Sequence, residues 1–311
     1  MNKWIFICIG LAFVTVSLLA AVDDPNYGGL WEAEYKAKDK TLEMNFYRKG
    51  SNNGFRIAIE SLRGLTLEIV MSDSRSVTFQ LVREAGTFHC TGSFKNGNGR
   101  GQFEFQPDKT FASKMSEFGY TDLNSPKQYE MAMLDVNTKF IRDLRDVGYR
   151  DLKLNRVIEM KIHGASAEYA RAMASHGYKD IPAEKLVEMR IHDVSPDFVR
   201  EMSEAGYRDL SADKLVEFRI HDVSPETVQE FRKLGYDALA ANKIVEFQIH
   251  DVTPEFVREL KKLGYENVSP NKLVEMRIHN VNPAFIRRVQ ESRKSRPDLD
   301  DLISMRIHGR D

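Results

Sequence analysis

The chain has 311 residues, with 45 Lys and Arg against 46 Asp and Glu, a formal net charge of -1, 42% hydrophobic residues and 10% aromatic ones. That composition excludes a disordered or collagenous chain, and the balanced charge lacks the basic excess of a nucleic-acid binder. The length suits about two domains, and with Cys8 and Cys90 as the two cysteines, stability rests on packing rather than on disulfides.

At the N-terminus Lys3 precedes an apolar run from Trp4 to Val22 that ends in Ala20 and Ala21. This pattern reads as an export signal over 1–21, cleaved near its end, which makes the protein periplasmic or secreted. The run 4–22 is also long enough to act as a membrane anchor if uncleaved, and this stands as the alternative.

From Gly29 to about Pro107 apolar residues alternate with polar ones, as in Leu42-Glu43-Met44-Asn45-Phe46 and Val77-Thr78-Phe79-Gln80-Leu81. Alternation turns one face of each strand inward, so 22–107 is expected to form a small antiparallel β meander or barrel. Asn53-Gly54 and Asn96-Gly97 are the expected tight turns, because both residue types accept positive φ. The stretch Gly97-Asn98-Gly99-Arg100-Gly101 is expected to belong to a hairpin rather than to a phosphate loop, since alternation and not a helix follows it. Cys90 lies in an alternating strand beside His89; the two side chains point to opposite faces, so Cys90 is expected to be a buried small hydrophobe.

A repeat decides the rest of the chain. His163, His192, His221, His250, His279 and His308 recur at intervals of 29, as do Gly-Tyr pairs beginning at Gly119, Gly148, Gly177, Gly206, Gly235 and Gly264. Two interleaved ladders of one period identify a tandem array over 108–311 of about seven units. In each unit a first helix, A, is expected to begin at a capping residue: Asp108, Asn137, Ser166, Ser195, Ser224, Thr253 or Asn282. Pro196, Pro225, Pro254 and Pro283 follow at the first helical position, pairs such as Val194 and Val199 suit a hydrophobic staple, and the Gly of Gly-Tyr stops the helix. A second helix, B, is expected from Ser211, Asn124, Ser269 and Asp298; Lys153, Pro182 and Ala240 occupy the same column less regularly. The fold class is therefore α+β multidomain, a β domain followed by an αα-hairpin solenoid. A leucine-rich-repeat-like α/β solenoid is the alternative, because Val216, Phe218 and Ile220 also alternate. The charged segment 291–301 reads as the polar cap of the last unit.

The His column carries a Glu four residues earlier, from Glu159 to Glu275, on one face of helix B. These His are expected to serve the helix end; a metal or pH-sensing ladder is the other reading, weakened because neighbouring units stand about 10 Å apart. Arginine columns recur on helix A (Arg142, Arg171, Arg200, Arg258 and Arg287, broken by Gln229) and on helix B (Arg190, Arg219, Arg277 and Arg306). Repetition displays the same donor fork at regular steps along a surface, so Arg171, Arg200, Arg258, Arg190, Arg219 and Arg277, with His192, His221, His250 and His279, are the candidate partner-binding residues. His-Glu-x-x-His, Gly-x-Ser-x-Gly and Cys-x-x-Cys do not occur, and no catalytic, metal or cofactor residue is assigned.

The segment from Arg83-Glu84-Ala85-Gly86-Thr87-Phe88 to Gly101-Gln102-Phe103-Glu104-Phe105, followed by units such as Leu186-Val187-Glu188-Met189-Arg190-Ile191-His192-Asp193-Val194-Ser195-Pro196, resembles a known repeat region. That region is the extracytoplasmic 29-residue repeat found in some bacterial membrane metallopeptidase proteins of the β-lactam-sensor type. The similarity covers about Val77 to His308; the peptidase domain has no counterpart in this chain, so no peptidase activity carries over. The resemblance implies a bacterial envelope protein. The expected function is a non-enzymatic, exported protein whose repeats bind a protein or peptide partner in the envelope, without nucleic acid, and with membrane contact only through an uncleaved N-terminal segment. An envelope sensor with a small ligand in the β domain is the second expectation.

Overall fold

The computed structural model describes residues 27–48 and 50–309. The expected leader 1–21 and anchor 4–22 lie outside the described residues, among which no helix is long and apolar enough to cross a membrane. The chain divides into two compact units, Met1–Lys139 and Phe140–Asp311.

The first unit holds seven strands: β1 (Gly29–Lys36), β2 (Thr41–Arg48), β3 (Ser51–Ala58), β4 (Leu62–Arg63), β5 (Arg75–Arg83), β6 (Gly86–Lys95) and β7 (Asn98–Pro107), with a short helix α1 (Leu67–Val70) between β4 and β5. They form one antiparallel sheet of order β3-β2-β1-β7-β6-β5-β4. The meander expectation holds within β1–β3 and within β4–β7. These two runs join through β1 and β7, and the order stays open, with β3 and β4 as its edges.

The aromatic core reveals how far this sheet curls. Strands β2 and β6 are three strand spacings apart, roughly 14 Å in a flat sheet, yet the rings of Phe46 and Phe88 lie 5.3 Å apart. Trp31 on β1 and Phe79 on β5, also three spacings apart, meet at 5.0 Å. Alternation supplies these rings from every second position, and Trp31, Phe46, Phe79, Phe88, Phe94 and Phe103 are all buried.

Asn96 and Gly97 form the β6–β7 turn with φ of 48° and 84°, as a type I′ hairpin requires. Asn53-Gly54 does not form a turn. It lies inside β3, and Gly54 faces Asn45, whose side chain fills the space that a Cβ would need. The β2–β3 connection instead falls at Gly50, with φ of 78°. Sequence reasoning missed this because Asn-Gly is also compatible with a strand wherever a cross-strand side chain replaces the missing one.

From α2 onward, helices A and B alternate. The A helices are α2 (Phe111–Ser116), α4 (Thr138–Asp146), α6 (Ala167–Ser175), α8 (Pro196–Glu204), α10 (Pro225–Lys233), α12 (Pro254–Lys262) and α14 (Pro283–Arg293). The B helices are α3 (Ser125–Leu134), α5 (Leu154–Ile162), α7 (Ala183–Ile191), α9 (Ala212–Ile220), α11 (Ala241–Ile249), α13 (Pro270–Ile278) and α15 (Leu299–Ile307). Val216, Phe218 and Ile220 are helical, so the leucine-rich-repeat alternative is corrected: the cap and stop residues at both ends of each segment override a short alternation. Helices α2 and α3, expected to open the array, lie in the same compact unit as the sheet. Tyr129 of α3 packs edge-to-face on the sheet's aromatic residues, 5.7 Å from Phe88 and 5.4 Å from Phe105.

The helix termini follow the sequence closely. Ser166, Ser195, Ser224, Thr253 and Asn282 each accept the backbone N–H three residues ahead. Asn124, Ser211, Ser269 and Asp298 cap B helices with their side chains, whereas Lys153, Pro182 and Ala240 make no such bond. After α10, Gly235 takes φ of 93°, and Tyr236 N–H reaches back to the Phe231 carbonyl at 3.0 Å, which completes the expected left-handed stop. From α6 to α14 each A helix packs on the A helix of the next unit, as α6 on α8 and α10 on α12, and from α5 to α13 the B helices do the same, as α7 on α9 and α11 on α13.

Gly235 faces open space, so a methyl there meets no atom and tests backbone conformation alone. Gly235→Ala is expected to cost about 1 kcal/mol in urea unfolding; no loss would mean that the left-handed stop contributes nothing.

Candidate interaction surface of the helical repeats

Helices of nine residues leave four carbonyls unsatisfied at each C-terminus and are too short to be stable alone. Their C-terminal chemistry is therefore where the units join. Each B helix from α5 onward ends on an isoleucine, and the following His is its C-cap. Beyond it stands a left-handed residue that sequence reasoning overlooked: Gly164, Asp193, Asp222, Asp251 or Asn280, with φ between 54° and 68°. Asp and Asn tolerate this conformation better than other residues with a side chain, and that tolerance was the signal available in the sequence. The next residue closes the motif, as Val223 N–H on the Phe218 carbonyl at 2.8 Å.

The helix B arginine of the following unit then reaches this end. Arg190, Arg219 and Arg277 donate through Nε to the carbonyls of His163, His192 and His250 at 3.3, 3.2 and 3.4 Å. The same guanidiniums lie over aromatic rings of the preceding A helix, Tyr169, Phe198 and Phe256, at 5.0 to 5.2 Å. Arg219 pairs with Asp193 and Arg277 with Asp251 as well. These three candidate residues thus bridge units. On helix A, Arg200 binds Asp197, Glu201 and Glu204 of its own helix, while Arg258 joins Glu255 to Glu230 of the previous unit. Arg171 lines a groove between A-to-B loops. His192, His221, His250 and His279 are partly buried.

The glutamates four residues before these His act elsewhere. Glu188, Glu217, Glu246 and Glu275 each bind the lysine three residues earlier, and that lysine also reaches Asp213, Asn242, Asn271 or Asp300 in the next unit. The Asp213 and Glu188 carboxylates hold the Lys185 ammonium above its ordinary range. The i,i+3 geometry toward Lys competes directly with i,i+4 toward His, and it puts a charge on each side of the bond.

A further link was invisible in the sequence. The Gly-Tyr tyrosines donate across units: Tyr149, Tyr178, Tyr207, Tyr236 and Tyr265 bind the carbonyls of Ile181, Leu210, Leu239, Val268 and Pro297 at 2.6 to 2.9 Å. Every acceptor lies 32 residues on, just before the next helix B. Burial pushes the Tyr207 phenol up to about 12.

These contacts leave a regular row of apolar side chains uncovered. Ile162, Ile191, Ile220, Ile249, Ile278 and Ile307, the last residue of each B helix from α5 onward, are 53% to 56% exposed. Among the described residues no group of three or more His, Cys, Asp or Glu is placed to hold a metal ion. In the sheet, Cys90 points inward as expected and burial pushes its thiol up to about 12, while His89 lies between Gln80 and Gln106 on the other face. No family model matches the chain, and no curated protein or solved structure is significantly similar to it.

The tyrosine links carry a pH dependence of definite sign. The folded chain keeps the Tyr207 proton up to about 12, whereas the unfolded chain loses it near 10.0. Stability from this group is complete below that lower value and declines as pH rises through the interval. Tyr207→Phe should lower unfolding free energy at neutral pH by about 1 kcal/mol and lose less than the wild type on alkaline titration. Identical alkaline curves for the two proteins would remove the link from the account.

Proposed function

We propose that the chain is an exported, non-enzymatic interaction protein whose repeats stack as an α-solenoid and bind a protein or peptide partner in a bacterial envelope. The observation that carries this reading is the isoleucine stripe, one half-exposed side chain per unit at a fixed step. An apolar residue kept in the same exposed place through six units is a poor solution for a surface meeting only water. A partner that covers the stripe recovers its burial free energy without rearranging the units. The packing of A on A and B on B supports the solenoid, since each unit then buries its apolar stripes against neighbours of the same kind.

The arginine and histidine columns take a changed role in this proposal. Arg190, Arg219 and Arg277 hold the units in register beside the stripe, and the partly buried His192, His221, His250 and His279 flank the isoleucines that a partner would touch. The aromatic filling of the β sheet favours recognition by the repeats over a small ligand held inside the sheet. The resemblance to an extracytoplasmic repeat region and the apolar run after Lys3 support the envelope location.

Replacing Ile191, Ile220 and Ile249 together by Ser removes three adjacent members of the stripe without touching the core. The variant is expected to keep its melting temperature and to weaken partner binding by on the order of a hundredfold, since each half-exposed Ile has roughly 1 kcal/mol of burial left to gain. The measurement is quantitative co-purification from envelope extract against the unsubstituted protein. Equal recovery by the two proteins would reject the stripe as the binding surface.

A further inference from the structure

The A-helix end of the repeat is closed by the same device as the B-helix end, but not in every unit. Lys261 donates to the Leu234 carbonyl at 2.9 Å, and Gln290 donates to the Leu263 carbonyl at 3.0 Å. In each case a long polar side chain from the next A helix satisfies the C-cap carbonyl of the one before. Arg232 stands in the same column and its guanidinium fills the space beside Gly206. Arg232 donates instead to the Asp237 carbonyl of its own unit, and in two further units the column holds Ser203 and Ala174, which are too short to reach.

Two adjoining grooves open at those places. One, of about 740 Å³, lies between His176 and Ser203; the other, of about 450 Å³, lies between Val147 and Ala174. They share the loop Tyr178, Lys179, Asp180 and Ile181. The carbonyls of Val147 and His176, which correspond to those that Lys261 and Gln290 occupy further on, accept no hydrogen bond among the described residues.

We infer that these grooves bind an extended peptide segment whose Lys or Arg side chains supply the two missing donors at the Val147 and His176 carbonyls. The occupant is set by what the chain itself uses at the equivalent places, a long side chain ending in N–H donors. The negative end of each A-helix dipole favours a cation there and disfavours a carboxylate. In the larger groove Lys179, Lys185 and Arg208 balance Asp180, Asp209 and Asp213, whereas in the smaller one Arg171 and Lys179 face Asp180 alone, so selection of a basic side chain falls to the carbonyls and not to the charge of the walls. Neighbouring helices stand 8–10 Å apart in typical packing, about the distance between residues i and i+3 of a polyproline-type segment, which share one face at roughly 9 Å. The fitting ligand is therefore an extended segment with two basic residues three positions apart. This site lies on the A-to-B loops, at the other end of helix B from the isoleucine stripe, and it stands or falls separately.

The test uses the purified full chain and a fluorescent Lys-Pro-Pro-Lys peptide, with norleucine replacing one or both lysines as control. Fluorescence anisotropy is expected to show binding that weakens about tenfold for each lysine lost. The double variant Ala174→Lys and Ser203→Lys gives the chain its own donors, as Lys261 does, and should abolish peptide binding while leaving the melting temperature unchanged or raised. The Ile191, Ile220 and Ile249 to Ser variant should bind the peptide as the wild type does. Equal affinity for the lysine and norleucine peptides, no binding by the wild type, or undiminished binding by the filled, folded variant would each overturn the inference.

Discussion

The repeat region depends on one constraint: a nine-residue helix cannot satisfy its own last carbonyls, and in this chain much of the missing hydrogen bonding comes from the unit that follows. Arg219 on the His192 carbonyl and Lys261 on the Leu234 carbonyl are two cases of one rule, applied at the ends of helices B and A. Tyr207 on the Leu239 carbonyl extends it to the loop that leads into the next helix B. Because donor and acceptor sit in different units, the hydrogen bonds that complete a helix also fix the spacing between helices. Local folding and assembly of the array are thus one process, in line with stability that is a sum over neighbours.

The same constraint explains where free chemistry is left. Arginines that repeat along a surface suggest recognition of carboxylates, yet Arg190, Arg219 and Arg277 are committed to carbonyls, rings and aspartates of the array. A regular row of apolar side chains remains available, the isoleucines that end the B helices from α5 onward. At the A-helix ends the opposite happens: a donor is lacking at Ala174 and Ser203, and acceptors are available. One edge offers surface without hydrogen bonds and the other offers hydrogen-bond acceptors without partners.

The sheet follows a separate logic. Alternation supplies one inward aromatic after another, and six such rings cannot pack in a flat sheet without leaving gaps, so strands three places apart are drawn together until Phe46 meets Phe88. Tyr129 from α3 packs edge-to-face on the same cluster, which accounts for the first helices belonging with the sheet.

By itself the sequence determined most of what depends on local backbone chemistry, Asn53-Gly54 and the left-handed residues after the B helices excepted. Ser195, Thr253, Asn282 and Gly235 act where their residue types say they must, because caps and left-handed stops are decided within four or five residues. It also revealed the period of 29, since a repeat needs no structure to be counted. Tertiary structure alone decided which polar side chains cross from unit to unit. The Tyr207 hydroxyl, the Arg219 guanidinium and the Lys214 ammonium each had a nearby, intrahelical or solvated alternative that the sequence could not exclude. Only the stacking of one helix on the next brings a carbonyl or amide oxygen 27, 28 or 32 residues away within hydrogen-bonding reach, and only after those contacts are made is it settled that the isoleucines stay uncovered.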